Sequence, residues 1–359
     1  MRVHLIDPSG DVIPYDHALA GALARRGLDV ELITSRFVHG PPPTPFGYGV
    51  TESFYRLATR FGDRAPRRRR AVRIAEHVPD MLRYRRRAGD ADVRHFQWLP
   101  VERIDKHLLP AARPRVLTMH NVIRREAVDR RLAGKMDAVI VHTRHGAELL
   151  GGGDRVHVIP HGSFDYLTTQ RDERPLPPEL AAVDGPVVLY FGLVRPYKGV
   201  DVLIEAFRQV EGAELWVVGR PLEVSVEHLR LAAPAGRVRF VDRYVSDAEL
   251  PAFFKRADLL VLPHRNVDVS GVLFAGLAFG KAMVMSDVGG FRELVSEHGA
   301  GRLVRPGDPA ALAAAIGELL ADPAARAKLE ERARAAAAGP YSWDRIAEAT
   351  QRVYEKVLA

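Results

Sequence analysis

The sequence predicts an α/β protein of two domains, each built on a parallel sheet, and three observations carry that prediction. Short apolar strands alternate with amphipathic helical stretches along almost the whole chain, the pattern of parallel sheets wound with helices. The 359 residues are long for one such domain and comfortable for two. Near the middle, the polar, proline-rich stretch from Gln170 to Pro178 separates two runs of this pattern, as an interdomain linker does.

In the first half the strand candidates are Val3–Ile6, Val30–Thr34, Val93–Gln97, Val116–Met119, Ala138–Val141 and Val156–Ile159. In the second half they are Val187–Phe191, Glu214–Val218, Val238–Val241, Leu259–Leu262, Met283–Met285 and Arg302–Val304. The stretch Val200–Val210 places Val200, Leu203, Ile204 and Phe207 on one helical face. Asp308-Pro309 opens another helix, a capping residue followed by a proline in the first turn. The alanine-rich 324–339 reads as a surface helix, and the last helix, 342–358, carries Trp343, Ile346, Val353 and Val357 on one side. The domains expected are 1–165, a linker 166–186, 187–340, and a terminal helix 341–359 packing back on the first domain.

Composition narrows the function classes. Hydrophobic residues at 47% and charged residues at 27% suffice for two cores. With no cysteine, disulfides, thiolate metal sites and cysteine nucleophiles are excluded. The apolar start is too short for a signal peptide, and no apolar run approaches the ~18 residues that span a bilayer; a cytoplasmic protein, soluble or peripheral on the inner membrane face, is expected. Charge is uneven. Residues 60–87 hold eleven arginines against Asp63, Glu76 and Asp80, a balance of +8 where the whole chain carries +7. That segment flanks Val72, Ile74, Val78, Met81 and Leu82 with arginines, which suits an anionic membrane surface. With only Phe61 and Tyr84 as aromatics it lacks a stacking platform, so no nucleic acid is expected; a solvated basic helix is the plain alternative. Pro66 and Pro79 predict two short helices there rather than one.

Three segments of the second half carry chemistry. Tyr190-Phe-Gly-Leu-Val-Arg-Pro-Tyr-Lys-Gly199 ends a strand, lets backbone approach a ligand at Gly192, and supplies Arg195 and Lys198 just before a helix. Ligands of open α/β sheets bind outside the carboxyl ends of strands, and two cations in such a loop suit a diphosphate. Leu262-Pro-His-Arg-Asn-Val-Asp-Val-Ser-Gly271 leads from a strand to a helix starting at Ser270-Gly271, whose free amides form a phosphate cradle; an ordinary buried helix with a serine cap is the other reading. Met285-Ser-Asp-Val-Gly-Gly-Phe-Arg-Glu293 is a strand, a glycine turn and a helix start.

Together these segments resemble the retaining glycosyltransferases of family 4, the group 1 type, whose GT-B fold is two Rossmann-like domains with parallel sheets facing a central cleft. FGLVRPYKG is similar to that family's donor motif, and SGVLFAGLAFGKAMVMSDVGGFREL to its donor helix and glycine turn; HFQWLP, TMHNVIRRE and VHVIPHG are similar to its acceptor-domain strands. The resemblance implies that Gly192, Arg195 and Lys198, with backbone at Ser270, Gly271 and Val272, hold the donor phosphates of a UDP- or GDP-sugar. It implies that His120 faces the donor sugar, that Arg243 and Tyr244 lie in the loop lining the base, and that Ser9, Gly10, His120 and Asn121 lie on the acceptor side. The reaction implied is sugar transfer with retention, needing no metal; the arginine segment, lying in the half expected to bind the acceptor, adds the expectation of an acceptor that is lipid-linked or a cell-envelope or polysaccharide precursor. His120, Asp268, Arg195 and Lys198 are the catalytic candidates.

The sequence departs from the family at its E-x7-E pair, which falls here on Val267 and Ala275. Asp268 is adjacent and is expected to take over the first glutamate's grip on sugar hydroxyls. The departure leaves two alternatives open, a non-catalytic sugar-nucleotide binder and a sugar-nucleotide epimerase. An oxidoreductase is disfavoured because Gly10 is not followed by a dinucleotide fingerprint.

Overall fold

In the computed structural model, residues 1–10, 12–37, 44–64, 66–122 and 132–359 are described, and the chain forms two units, Met1–His161 with Trp343–Ala359, and Gly162–Ser342. The motif TMHNVIRRE is described only through Val122, and in the arginine segment Ala65 and the side chains of 62–66 lie outside the described residues.

In the first unit β1 (Arg2–Asp7), β2 (Asp29–Ser35), β3 (Gly49–Phe54), β4 (Val93–Phe96), β5 (Arg115–Met119), β6 (Ala138–Val141) and β7 (Val156–Val158) make one parallel sheet, ordered β3-β2-β1-β4-β5-β6-β7. Successive side chains of a strand face opposite sides. In β1, Val3 and Leu5 join one core with Leu19 and Leu23 of helix α1 (Ile13–Arg25), while Ile6 joins the other with Phe54, Phe96 and Leu117. Central strands covered on both faces read as near-continuous apolar runs, which is why the sequence betrays them. The exception is β3, an edge strand whose residues Gly-Val-Thr-Glu-Ser-Phe are mostly exposed until Phe54; its apolar pattern is too weak to predict.

In the second unit β8 (Val187–Phe191), β9 (Glu214–Val218), β10 (Val238–Val241), β11 (Leu259–Leu262), β12 (Met283–Ser286) and β13 (Arg302–Val304) form a parallel sheet ordered β10-β9-β8-β11-β12-β13. Two apolar layers cover its faces, one around Trp216, Phe253, Phe254 and Phe291, the other around Leu203, Phe207, Leu312 and Ile316. Asp308 caps its helix by accepting from the Ala311 amide at 2.9 Å. The helix from Val200 ends at Ala206, with Phe207 as its capping residue, four residues short of the expected 210.

Three expectations need correction. The stretch 166–186 is not a free linker. Leu167 and Leu180 are buried in the core of the second unit, the Arg174 amide donates to the Ala248 carbonyl at 2.8 Å, and the boundary falls at His161/Gly162. Pro178 opens a short helix, Pro178–Ala181, while Leu167 and Leu180 find a core. The stretch 324–339 is a helix over Pro323–Ala338, yet Ala333, Ala336 and Ala337 are buried, so small side chains let it pack closely. The arginine segment is one helix, α2 (Pro66–Arg87), running through Pro79. Side chains on both sides of that proline anchor the inner face: Glu76 accepts from the Leu57 and Ala58 amides at 2.8 Å, Asp80 from the Tyr55 amide at 2.8 Å, and His77 Nε2 meets Asp105 at 2.6 Å. These bonds offset the one backbone bond a mid-helix proline forfeits. The final helix, Trp343–Leu358, lies against α1 in the first unit, with Trp343, Ile346, Val353 and Tyr354 in the shared core and Arg25 paired to Asp344 at 2.8 Å.

Candidate active site

In a doubly wound sheet the loops leaving two neighbouring strands at the point where strand order reverses depart to opposite sides and open a crevice. In the second unit that point lies between β8 and β11. The loop after β8 carries Gly192, Arg195 and Lys198; the loop after β11 runs from Pro263 to Ser270. Gly192 has φ +110°, and a Cβ placed on it would come 3.0 Å from Val272 Cγ2 and 3.3 Å from Lys198 Nζ. The Lys198 ammonium therefore sits against Gly192 beside the first turn of the helix Gly271–Ala278. The Arg195 Nε is buried and meets no acceptor among the described residues. Ser270 is the N-cap residue, but its hydroxyl makes no capping bond and, though buried, has no partner among the described residues. The Lys198 ammonium, glycine backbone and a helix start with an unspent hydroxyl thus converge, which suits an anion.

The loop after β11 braces this arrangement, a role the sequence did not announce. The Arg265 amide donates to the Tyr197 carbonyl at 2.8 Å, and its guanidinium donates to the Pro196 carbonyl at 2.8 Å and to both oxygens of Asp201 at 2.8 and 2.6 Å. The turn Pro196–Lys198 is thereby held from the neighbouring strand. The glycine turn after β12 holds the same loop from the other side. Gly290 donates to the Asp268 carbonyl at 2.9 Å, and at Gly289, φ +44°, any Cβ would collide with the Val267 carbonyl at 1.9 Å. Asp268 itself is buried. His264, fully buried over the Phe291 ring, is pushed down to about 3 by burial and then by the nearby Lys198 charge, so it stays neutral beside that cation.

Ala275 lies in the core of this unit and Val267 packs against that core, so neither family glutamate position carries a polar group. Arg243 is committed to the protein: it donates to Glu249 at 2.7 Å and to the Tyr244 carbonyl at 3.0 Å. This pair, with Ser246, holds the Glu249 carboxyl down to about 2. Tyr244 is half exposed. The structure thus makes Arg243 a brace of the loop 242–247.

In the first unit the corresponding point lies between β1 and β4. Asp7 organises the loop after β1, accepting from the Ser9 amide at 3.0 Å and the Ser9 hydroxyl at 2.9 Å. Gly10 packs over the Ser35 hydroxyl. His120 and Asn121 line a cavity of about 40 Å³ with Gln97, Trp98 and Thr118. Sequence reasoning singled out His120 alone, yet it belongs to a cluster. His142 Nε2 lies 3.0 Å from His120 Nδ1, the ring centres of His142 and His161 are 5.3 Å apart, and Tyr15 from α1 stands edge-on to His120 at 4.7 Å. A signal existed: the adjacent strands β5 and β6 are each followed directly by a histidine, and β7 by one three residues on. Burial pushes His120 well below the usual histidine range, helped by His142 and His161, and pushes His142 down to about 4.

Two parallel doubly wound sheets, a cation and helix-start crevice on one and a histidine at a strand end on the other, define a GT-B glycosyltransferase fold. Sucrose-phosphate synthase from Thermosynechococcus elongatus superposes with a TM-score of 0.77 at 22% identity, covering 99% of this chain and 98% of that one. The Anabaena protein HepE in complex with UDP and glucose superposes with a TM-score of 0.76 at 19% identity, over 99% and 100%. The family described as glycosyl transferases group 1 matches residues 185–322, and the D-inositol 3-phosphate glycosyltransferase of Xylanimonas cellulosilytica is 30% identical over 96% of this chain and 91% of that relative. The chain belongs to the group 1 glycosyltransferases and is a transferase.

Proposed function

We propose that the protein moves a sugar from a nucleoside diphosphate donor to an acceptor hydroxyl with retention at the anomeric carbon. The observation that carries this reading is the meeting of Lys198 Nζ, Gly192 and Val272 at the start of the helix Gly271–Ala278, whose N-cap Ser270 has a buried hydroxyl without a partner among the described residues. A similar fold holding UDP and glucose, that of HepE, supports a UDP-sugar as the donor. In the reaction the bond from the anomeric carbon to the diphosphate breaks, the acceptor oxygen bonds the same face of that carbon, and its proton passes to the departing phosphate. Arg195, Lys198 and the helix amides carry the charge that develops on the leaving group, a role that needs no metal. Asp268 grips sugar hydroxyls in place of the absent glutamate, and His120 contacts the transferred sugar as the family resemblance implies.

The acceptor reading rests on α2. Ile74, Val78 and Leu82 are exposed at 62%, 36% and 41% and, four residues apart, share one face; Arg67, Arg68, Arg70, Arg85 and Arg86 are exposed beside them. An apolar stripe rimmed by arginines fits an anionic bilayer, and the protein works as a peripheral enzyme on the cytoplasmic face with a membrane-presented acceptor. The Xylanimonas relative is named for D-inositol 3-phosphate, which supports a phosphorylated polyol as the acceptor's chemistry.

The test is a melting-temperature panel with UDP-glucose, UDP-N-acetylglucosamine and GDP-mannose, followed by nucleotide release with EDTA present. A donor that raises the Tm and is turned over, with Arg195→Ala and Lys198→Ala each losing most turnover while remaining folded, is the expected result. Binding without release would leave a sugar-nucleotide binder, and mass-neutral conversion of the donor an epimerase. Near-wild-type turnover in both variants would overturn the donor site.

A further inference from the structure

The histidines at the ends of β5 and β6 form a proton-ordered chain. His142 Nδ1 lies 3.0 Å from the Ile159 carbonyl, and His142 Nε2 lies 3.0 Å from His120 Nδ1. A carbonyl oxygen only accepts, so His142 Nδ1 carries a proton and donates it. A neutral imidazole has one N–H, which leaves His142 Nε2 as an acceptor. Its partner across 3.0 Å must then donate, so the proton of neutral His120 sits on Nδ1. His120 Nε2 is left with a lone pair.

The opposite order fails. If Nε2 of His120 carried the proton, its bare Nδ1 would face His142 Nε2, and only a doubly protonated His142 would avoid two lone pairs in contact. His142 is buried under Tyr15 and beside His161, and burial lowers its pKa to about 4, so that cation is not formed near neutral pH. At Nε2 the neighbour is the Gln97 carboxamide. Its Oε1 lies at 3.4 Å, beyond a strong bond, and its amide nitrogen sits 3.3 Å from both nitrogens of His95. A half turn of the carboxamide exchanges oxygen and nitrogen, so this neighbour accommodates either proton position on His120 and does not decide between them. His95 is saturated in its own plane by the Tyr354 hydroxyl at 2.6 Å and the Thr118 hydroxyl at 2.7 Å, so it does not compete for His120. Among the described residues no three histidines or carboxylates are arranged to hold a metal ion.

We propose that His142, fixed by the Ile159 carbonyl, is a positioning residue that sets the tautomer of His120, so that His120 Nε2 accepts a hydrogen bond from a hydroxyl of the transferred sugar. The proposal rests on the reading of His120 as a sugar contact, and it selects among substrates: a hydroxyl donates to the lone pair, whereas a deoxy sugar at that position offers nothing. A site built to pair a polar group rejects an analogue that lacks it, because its own group is left unpaired.

Imidazole nitrogen NMR on the full chain tests the tautomer, and nucleotide release from UDP-glucose tests its use. In the wild type at pH 7.5, His120 is expected as the Nδ1–H tautomer. His142→Phe removes the acceptor and is expected to shift His120 toward Nε2–H and to lower kcat about tenfold or more with KM within about threefold. His142→Gln keeps an acceptor near the Nε2 position and is expected to restore much of both. An Nε2–H tautomer in the wild type, or an Nδ1–H tautomer unchanged in His142→Phe, overturns the proposal. A tautomer that shifts as expected with kcat unchanged overturns the use of the lone pair. Should His120→Ala also keep full turnover, the sugar-contact reading itself has failed, whereas the wild-type tautomer stands as a separate result. The wild-type spectrum decides even if His142→Phe does not fold.

Discussion

Arg265 grips Asp201 through two hydrogen bonds of 2.8 and 2.6 Å, and the same arginine holds the Pro196 and Tyr197 carbonyls, so one residue from the loop after β11 fixes the turn that ends in Lys198. Asp201 answers by dropping below the usual carboxylate range, chiefly through the hydrogen bond from Arg265. Both side chains are substantially exposed, so the pair adds little to stability. Its effect is positional. Arg265→Ala is expected to lower kcat/KM for UDP-glucose about tenfold, and Arg265→Lys to recover only part, since an ammonium lacks the two-pronged fork. A double-mutant cycle with Lys198→Ala should be non-additive. Fully additive losses would show that Arg265 acts elsewhere.

Asp268 stands where the loop is pinned by Gly290, and its place depends on a glycine turn that no larger residue at 289 would allow. Asp268→Asn is expected to cut kcat about 10- to 100-fold while the Kd for UDP-glucose moves less than about threefold, because a sugar contact strengthens as charge develops. Equal kcat in variant and wild type would assign the sugar hydroxyls to another group.

The exposed stripe on α2 predicts salt-sensitive sedimentation with vesicles. The protein should pellet with phosphatidylglycerol-containing liposomes at low salt and much less at about 0.5 M, where charge is screened within about 4 Å. Ile74→Ser with Leu82→Ser should weaken binding even at low salt, separating the apolar contribution from the electrostatic one. Absence from the pellet under all conditions leaves a solvated basic helix.

Buried neutral histidines set the acid limit of the fold. Burial lowers His95 to about 3, His142 to about 4 and His17 to about 4, against about 6.5 in an unfolded chain. The unfolded state binds protons first, so the stability these groups contribute is fully present above pH 6.5 and is lost as pH falls from 6.5 toward 4. The Tm should be nearly flat between pH 7 and 8 and decline steadily below 6.5. His142→Gln should make the decline shallower. A Tm that holds constant to pH 4 would contradict the burial of these rings.

Much of this protein was legible because its central strands are covered on both faces. Twelve strand candidates read as apolar runs and all twelve exist, with ends moved by a residue or so; β3 escaped because an edge strand need not be apolar. Pro79 misled because local propensity predicts a break, while Glu76, His77 and Asp80 supply tertiary anchors that hold one helix.

By itself the sequence determined two parallel α/β units, the Gly192–Lys198 loop, the helix start at Ser270 and the strand-end position of His120, since each follows from local pattern: apolar runs, glycines and cations at strand ends. Tertiary structure alone decided that Arg265 braces Lys198, that Gly289 admits the Val267 carbonyl, and that His142 faces His120. Those residues are 67, 22 and 22 positions apart in the chain, and parallel pairing of β8 with β11, of β11 with β12 and of β5 with β6 is what brings them together. Hydrogen bonds act over about 3 Å, so their partners become readable only once strand order is known.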